Sequence, residues 1–140
     1  MNLNIDYLEN ADTLEPNQLT GFFVGWPSPP TAETHLKILQ GSAEVVLALD
    51  QETGQVVGFV SAITDGVLTA YIPLLEVLPS YQGRGVGHEL MRRMLGRLDQ
   101  LYMVDLLCDK PLQPFYEAVG MHRASGMLRR NHEHQSGVTD

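Results

Sequence analysis

The chain has 140 residues, 44% of them hydrophobic and 19% charged, enough to bury one core and too few for two. Seventeen acidic residues against nine basic ones leave a formal net charge of −8, a balance that argues against wrapping nucleic acid or lying on an anionic membrane. No apolar run is long enough to span a bilayer, residues 1–6 lack the pattern of a signal peptide, and Cys108 is alone, so a soluble cytoplasmic protein without disulfides is expected.

Leu3, Ile5 and Tyr7 alternate with polar residues, the period of a short half-buried strand. Residues 12–15 read as a helix start, and Leu14, Leu19, Phe22 and Phe23 offer one apolar face, so a helix is expected to run to about Gly25. The prolines of the stretch Gly25-Trp26-Pro27-Ser28-Pro29-Pro30 forbid regular structure. Trp26 either walls an apolar substrate group or anchors this loop to the core. Thr31 is the N-cap of a second helix that runs through Leu39 and ends at Gly41. Residues 44–49, 56–64 and 67–78 read as three strands of an antiparallel meander, with Asp65-Gly66 as a hairpin turn.

The next stretch carries the chemistry. Pro79 cannot donate to a sheet ladder, glycines recur at 83, 85 and 87, and then Val86, Leu90, Met91, Met94, Leu95 and Leu98 fall at the spacing of one helix face, to about Leu101. Strand, glycine loop and helix N-terminus leave first-turn N–H groups without intrahelical partners, at the positive end of the helix dipole and beside Arg84. A phosphate or pyrophosphate satisfies them, although a loop that only turns the chain would also use glycine. Arg92, Arg93 and Arg97 extend the positive charge or only solvate the helix, and His88 either donates to a phosphate or lies on the surface. Residues 103–108 read as a strand joined by a parallel crossover, and the helix carrying Phe115 and Tyr116 closes at Gly120. Residues 121–130 are expected to return as one or two edge strands, and residues 131–140 form a polar tail.

Gln82-Gly83-Arg84-Gly85-Val86-Gly87 resembles the phosphate-binding motif of the GCN5-related N-acetyltransferases, Val77-x-Pro79-x-Tyr81 resembles the strand end before it, and the run from Phe115 to Met121 resembles the family's C-terminal aromatic helix. The resemblance covers about residues 43 to 123 and implies one N-acetyltransferase domain over residues 1–130. It implies an α+β, three-layer fold with a mixed, mostly antiparallel sheet of six or seven strands, the fourth and fifth splayed apart, flanked by about four helices. It also implies acetyl-CoA as cosubstrate, with backbone groups near Val77 and Leu78 on the pantetheine and Gln82, Gly83, Arg84, Gly85, Val86, Gly87 and His88 around the pyrophosphate. Val24-Gly25-Trp26-Pro27, Thr64-Asp65-Gly66 and Tyr81-Gln82-Gly83 are similar to the branch that includes arylalkylamine acetyltransferases, which points to a small primary amine as partner. A homodimer is compatible with this reading.

Acetyl transfer needs a base for the ammonium, a donor for the oxyanion and an acid for the leaving thiolate. The resemblance assigns the acid to Tyr116 and the oxyanion donor to the Val77 N–H. The carboxylate that relatives often carry earlier on the fourth strand is missing, since Pro73 and Leu74 stand there. Glu76 is the acid that remains in the strand, either as base or in a structural role; Tyr71 through a water, His35, or an amine arriving neutral are the other options. The five histidines show no metal-ligand spacing, so no metal is expected. A dinucleotide-binding oxidoreductase is disfavoured by Gly-x-Gly-x-Gly in place of Gly-x-Gly-x-x-Gly, and a P-loop hydrolase by the lack of Gly-Lys-Ser/Thr. A non-catalytic acyl-CoA or amine sensor on the same fold is the alternative function.

Overall fold

A computed structural model describes residues 3–138. The elements are β1 (Ile5–Leu8), α1 (Ala32–Gly41), β2 (Glu44–Asp50), β3 (Val56–Thr64), β4 (Thr69–Val77), α2 (Val86–Arg97), β5 (Met103–Asp105) and α3 (Gln113–Ala118). They build one mixed sheet in the order β1-β2-β3-β4-β5, antiparallel except for the parallel β4–β5 pair. The expected mixed, mostly antiparallel sheet is present, but with five strands and three α-helices among the described residues.

The missing elements have physical causes. In place of a helix over residues 12–25 there is one 3-10 turn, Pro16–Gln18, because Gly21, Phe23 and Gly25 adopt φ of 94°, 63° and 83°, which no right-handed helix accommodates. Leu14, Leu19, Phe22 and Phe23 are nevertheless buried, so their spacing reported burial and not helix. Residues 121–130 form no strand: from 122 on they are exposed, and no backbone ladder meets them. β5 ends at Asp105 instead of Cys108, and α2 ends at Arg97 instead of near Leu101, its last amide bonded as Leu98 N–H to the Met94 carbonyl at 3.1 Å.

Two cores flank the sheet. On one face Val46, Val60 and Ile72 pack under Leu90, Met91 and Met94 of α2, with Phe115 and Tyr116 of α3 against the same cluster. On the other face Leu14, Leu19, Phe22 and Phe23 join Leu39 of α1 over Val45, Leu47 and Phe59. Thr31 caps α1 as expected, its hydroxyl accepting from the Thr34 N–H at 3.1 Å.

A bulge in β4 positions the site. Ser61 pairs with Leu74 but Ile63 pairs with Tyr71, so β4 carries one extra residue around Pro73, where a missing donor does no harm. Ile72, Leu75 and Val77 therefore all pack toward α2, while Leu74 packs toward α1. Alternation then places Tyr71 and Glu76, five residues apart, on the same α1-side face; a regular strand would put them on opposite faces.

Candidate active site

The glycine loop is anchored at its start. Tyr81 OH donates to Asp50 Oδ2 at 2.6 Å, and the Gln82 side-chain amide donates to the Val77 carbonyl at 2.9 Å. The Tyr81 bond holds the Asp50 carboxyl below its ordinary range and raises the Tyr81 phenol. Gly83 and Gly85 then take φ of 76° and 85°, a region that favours glycine, and Gly85 is the N-cap of α2 with no side chain to cap it. The backbone N–H groups from Gly83 to His88 consequently find no acceptor among the described residues. Gly87 differs from its neighbours: it has no positive φ, and a Cβ there would meet the Phe115 ring of α3 at 3.4 Å, an ordinary contact.

The expected crowd of cations is mostly neutralised. Arg92 and Arg93 both bond Glu89, at 2.6 and 2.7 Å, and pull its carboxyl down to about 2, the Arg92 hydrogen bond being the largest cause. Arg97 lies between Glu9 and Glu44, at 2.8 and 2.6 Å. Arg84 is exposed with no carboxylate partner among the described residues, and His88 is likewise exposed. At the loop itself, the charge available to an anion is therefore that of Arg84.

Beside this loop the sheet opens. β4 and β5 pair only at Thr69–Met103, Ala70–Val104 and Tyr71–Asp105, while β4 continues to Val77. Beyond that point lies a cleft of about 270 Å³ lined by Ile72 and Leu75 of β4, Leu107 and Cys108 after β5, and Tyr116 of α3. Burial pushes the Tyr116 phenol up to about 12, with nearby Cys108 adding to the shift. Cys108, expected inside a strand, is a half-buried wall of this cleft. Leu78 donates its N–H to the Val57 carbonyl at 2.8 Å, so that amide belongs to the β3 side. Alternation turns the Val77 N–H to the open side, the side on which its carbonyl accepts from Gln82.

The opposite face holds Glu76, Tyr71, His35 and Trp26. Glu76 Oε1 accepts from the Phe23 N–H at 2.8 Å and Oε2 from the Val24 N–H at 3.2 Å, a contact with the N-terminal segment that no local pattern announces. His35 is only 1% exposed, and neither ring nitrogen has a hydrogen-bond partner. Its ring sits 4.4 to 5.3 Å from those of Phe59, Phe23 and Phe22, and burial lowers its pKa to about 4. An imidazole sealed in that cage reaches no substrate, which removes it from the candidate bases. Trp26 and Tyr71 are both 38% exposed, and Trp26 leans on Phe23 at 4.9 Å between centroids. The C-terminal segment returns to this side, where Gln135 Oε1 accepts from the Ser28 N–H at 2.8 Å.

Among the described residues no group of three or more His, Cys, Asp or Glu side chains could hold a metal ion, and no helix is long and apolar enough to cross a membrane. The Tyr81–Asp50 bond and the Glu76–Phe23 contact are absent from the sequence reading, because each joins residues more than thirty positions apart.

Comparison with known proteins agrees with the fold. The profile of the acetyltransferase (GNAT) family matches residues 11–121. A candidate acetyltransferase from Deinococcus radiodurans, solved by crystallography, is 48% identical and superposes with a TM-score of 0.93, over 97% of this chain and 94% of that one. A GNAT family acetyltransferase from Streptococcus pneumoniae is 29% identical, with a TM-score of 0.72 over 91% of this chain and 98% of that one. The chloroplastic GCN5-related N-acetyltransferase 3 of Arabidopsis thaliana is 39% identical over 74 residues, 51% of this chain; the match spans 31% of that relative's length.

Proposed function

The chain belongs to the GNAT acetyltransferase family, and from that premise we propose that it moves an acetyl group from acetyl-CoA to the primary amine of a small molecule, by direct transfer with both substrates bound. The observation that carries this reading is the alignment of two vacancies in backbone hydrogen bonding. One is the row of unbonded amides from Gly83 to His88, and the other is the unpaired edge of β4 beside the cleft. Amides at a helix N-terminus with one free arginine suit the diphosphate of coenzyme A, and an open strand edge suits the amide-bearing pantetheine.

On this reading the Val77 N–H, facing the open side, donates to the thioester carbonyl oxygen as negative charge gathers there. The amine nitrogen bonds to the carbonyl carbon, the carbon–sulfur bond breaks, and the sulfur takes the proton of the Tyr116 phenol. A phenol pushed up to about 12 stays protonated throughout the neutral range, so the donor is always loaded. Tyr71 and Trp26 offer exposed aromatic surface on the α1 side, which supports an amine bearing an apolar or aromatic group. Both Glu76 oxygens already accept backbone N–H groups, so the amine reacts as its neutral fraction, and the proton its nitrogen loses returns through solvent to the Tyr116 phenolate.

The test is release of free CoA thiol from acetyl-CoA across primary amines of graded size and aromaticity. Turnover with at least one aromatic or apolar amine is expected. Tight acetyl-CoA binding with no turnover on any amine would replace the enzyme by an acyl-CoA sensor.

A further inference from the structure

Resting on the acetyl-transfer reading, we propose that Glu76 is a positioning residue that governs which amine is accepted, by clamping the loop that presents Trp26. Its carboxylate bridges two consecutive backbone amides, Phe23 at 2.8 Å and Val24 at 3.2 Å. Charge-assisted bonds of this kind are among the stronger ones a protein makes, and two on adjacent amides fix the direction of the chain there. The clamped residue needs fixing. Phe23 has φ of 63°, and among the described residues it is the one non-glycine with positive φ. A bulky side chain enters that region only where its surroundings dictate it.

The clamp reaches Trp26 by two routes. The Trp26 N–H donates to the Phe23 carbonyl at 3.1 Å, and the indole lies 4.9 Å from the Phe23 ring. Phe23 in turn rests on His35 at 4.8 Å and Phe59 at 6.3 Å, and Phe59 is the cross-strand partner of Glu76. Trp26 is thus the exposed tip of an aromatic stack tied to β3 through Phe59 and to β4 through Glu76. The β4 bulge puts Tyr71 on the same face as Glu76, so the ligand chemistry that this wall selects is a primary amine with a flat apolar group. A base role competes for the same atoms: a proton on either Glu76 oxygen would weaken the bonds that shape the loop.

Trp26 is the sole tryptophan of the chain, so its fluorescence reports this loop alone. Glu76→Gln keeps one carbonyl oxygen for the Phe23 N–H but turns an amide donor toward Val24, and Glu76→Ala removes both acceptors. With far-ultraviolet circular dichroism unchanged, acrylamide quenching of Trp26 is expected to rise from parent to Gln to Ala. In the same order KM for an aromatic amine rises, about tenfold in the alanine variant, while kcat falls by less than about threefold. Trp26→Ala reproduces the KM loss, and the double variant is no worse than the larger single one. Unchanged quenching overturns the proposal. So does a kcat loss of about a hundredfold or more, equal in both variants with KM retained, which would mark Glu76 as the base. If the parent protein turns over no amine, the acetyl-transfer reading fails on its own, and the quenching series still decides the clamp.

Discussion

The two faces of the sheet are built in different ways. The α2 face is regular: an amphipathic helix of twelve residues lies on alternating strand positions, and its N-terminus presents unbonded amides. The α1 face is irregular: a loop with three positive-φ residues is held by one carboxylate and by rings stacked around a buried histidine. The regular face offers its backbone, which any diphosphate of the same geometry can use. The irregular face offers side chains whose placement depends on a few long-range contacts. A common cosubstrate and a variable acceptor fit that division.

The sharpest way to separate the faces is to remove one group from each. Tyr116→Phe deletes the proposed proton donor in the cleft and is expected to lower kcat about a hundredfold with the acetyl-CoA dissociation constant retained, measured by steady-state turnover and calorimetry. Equal loss of affinity and rate would make Tyr116 a packing residue of α3.

On the α1 face, His35→Leu tests whether the aromatic cage is structural. Folded His35 protonates only at about 4, whereas the unfolded chain does so near the ordinary 6.5. The unfolded state therefore binds more protons between those values, and the parent loses stability as pH falls from about 6.5 toward about 4. That loss amounts to roughly 2 kcal/mol at pH 5 relative to pH 8. Urea unfolding of the leucine variant should lack this share of the pH slope; an unchanged slope would mean that His35 titrates freely.

Much of this comparison was legible in the sequence, and what was not is instructive. Leu90, Met91 and Met94 announced α2 by spacing, and Thr31 announced α1 by its hydroxyl, because both signals act within one or two turns. Phe22 and Phe23 misled because they are buried at helical spacing by a path that is no helix; the residue that sets the path, Glu76, lies 53 positions away. Pro73 stood in the sequence only in the place of a missing carboxylate; the bulge around it, and with it the face that Tyr71 shares with Glu76, depends on pairing with β3. The edge strands expected over 121–130 are absent: from 122 on those residues are exposed and meet no backbone ladder, a long-range outcome that their own composition does not announce.

Smaller effects sharpen the account of the cofactor side. Arg84→Glu reverses the one unpaired charge at the loop and should weaken acetyl-CoA binding about tenfold in low salt, less as salt screens it. An unchanged dissociation constant would show that the amides act alone. Smallest of all, the rate with a neutral-reacting amine should show no alkaline fall up to about pH 10.5, since the donor phenol is raised to about 12 and remains protonated there. A fall centred near the ordinary phenol value of about 10 would place the donor elsewhere.

The most direct measurement is a titration of nitrogen-15-labelled protein with coenzyme A, followed amide by amide. The largest shifts should fall on Gly83, Gly85, Val86, Gly87 and His88, with Val77 moving as the open edge of β4 is filled. Shifts confined to the basic 121–131 stretch, with the α2 N-terminus unmoved, would contradict the assignment of those amides to the diphosphate.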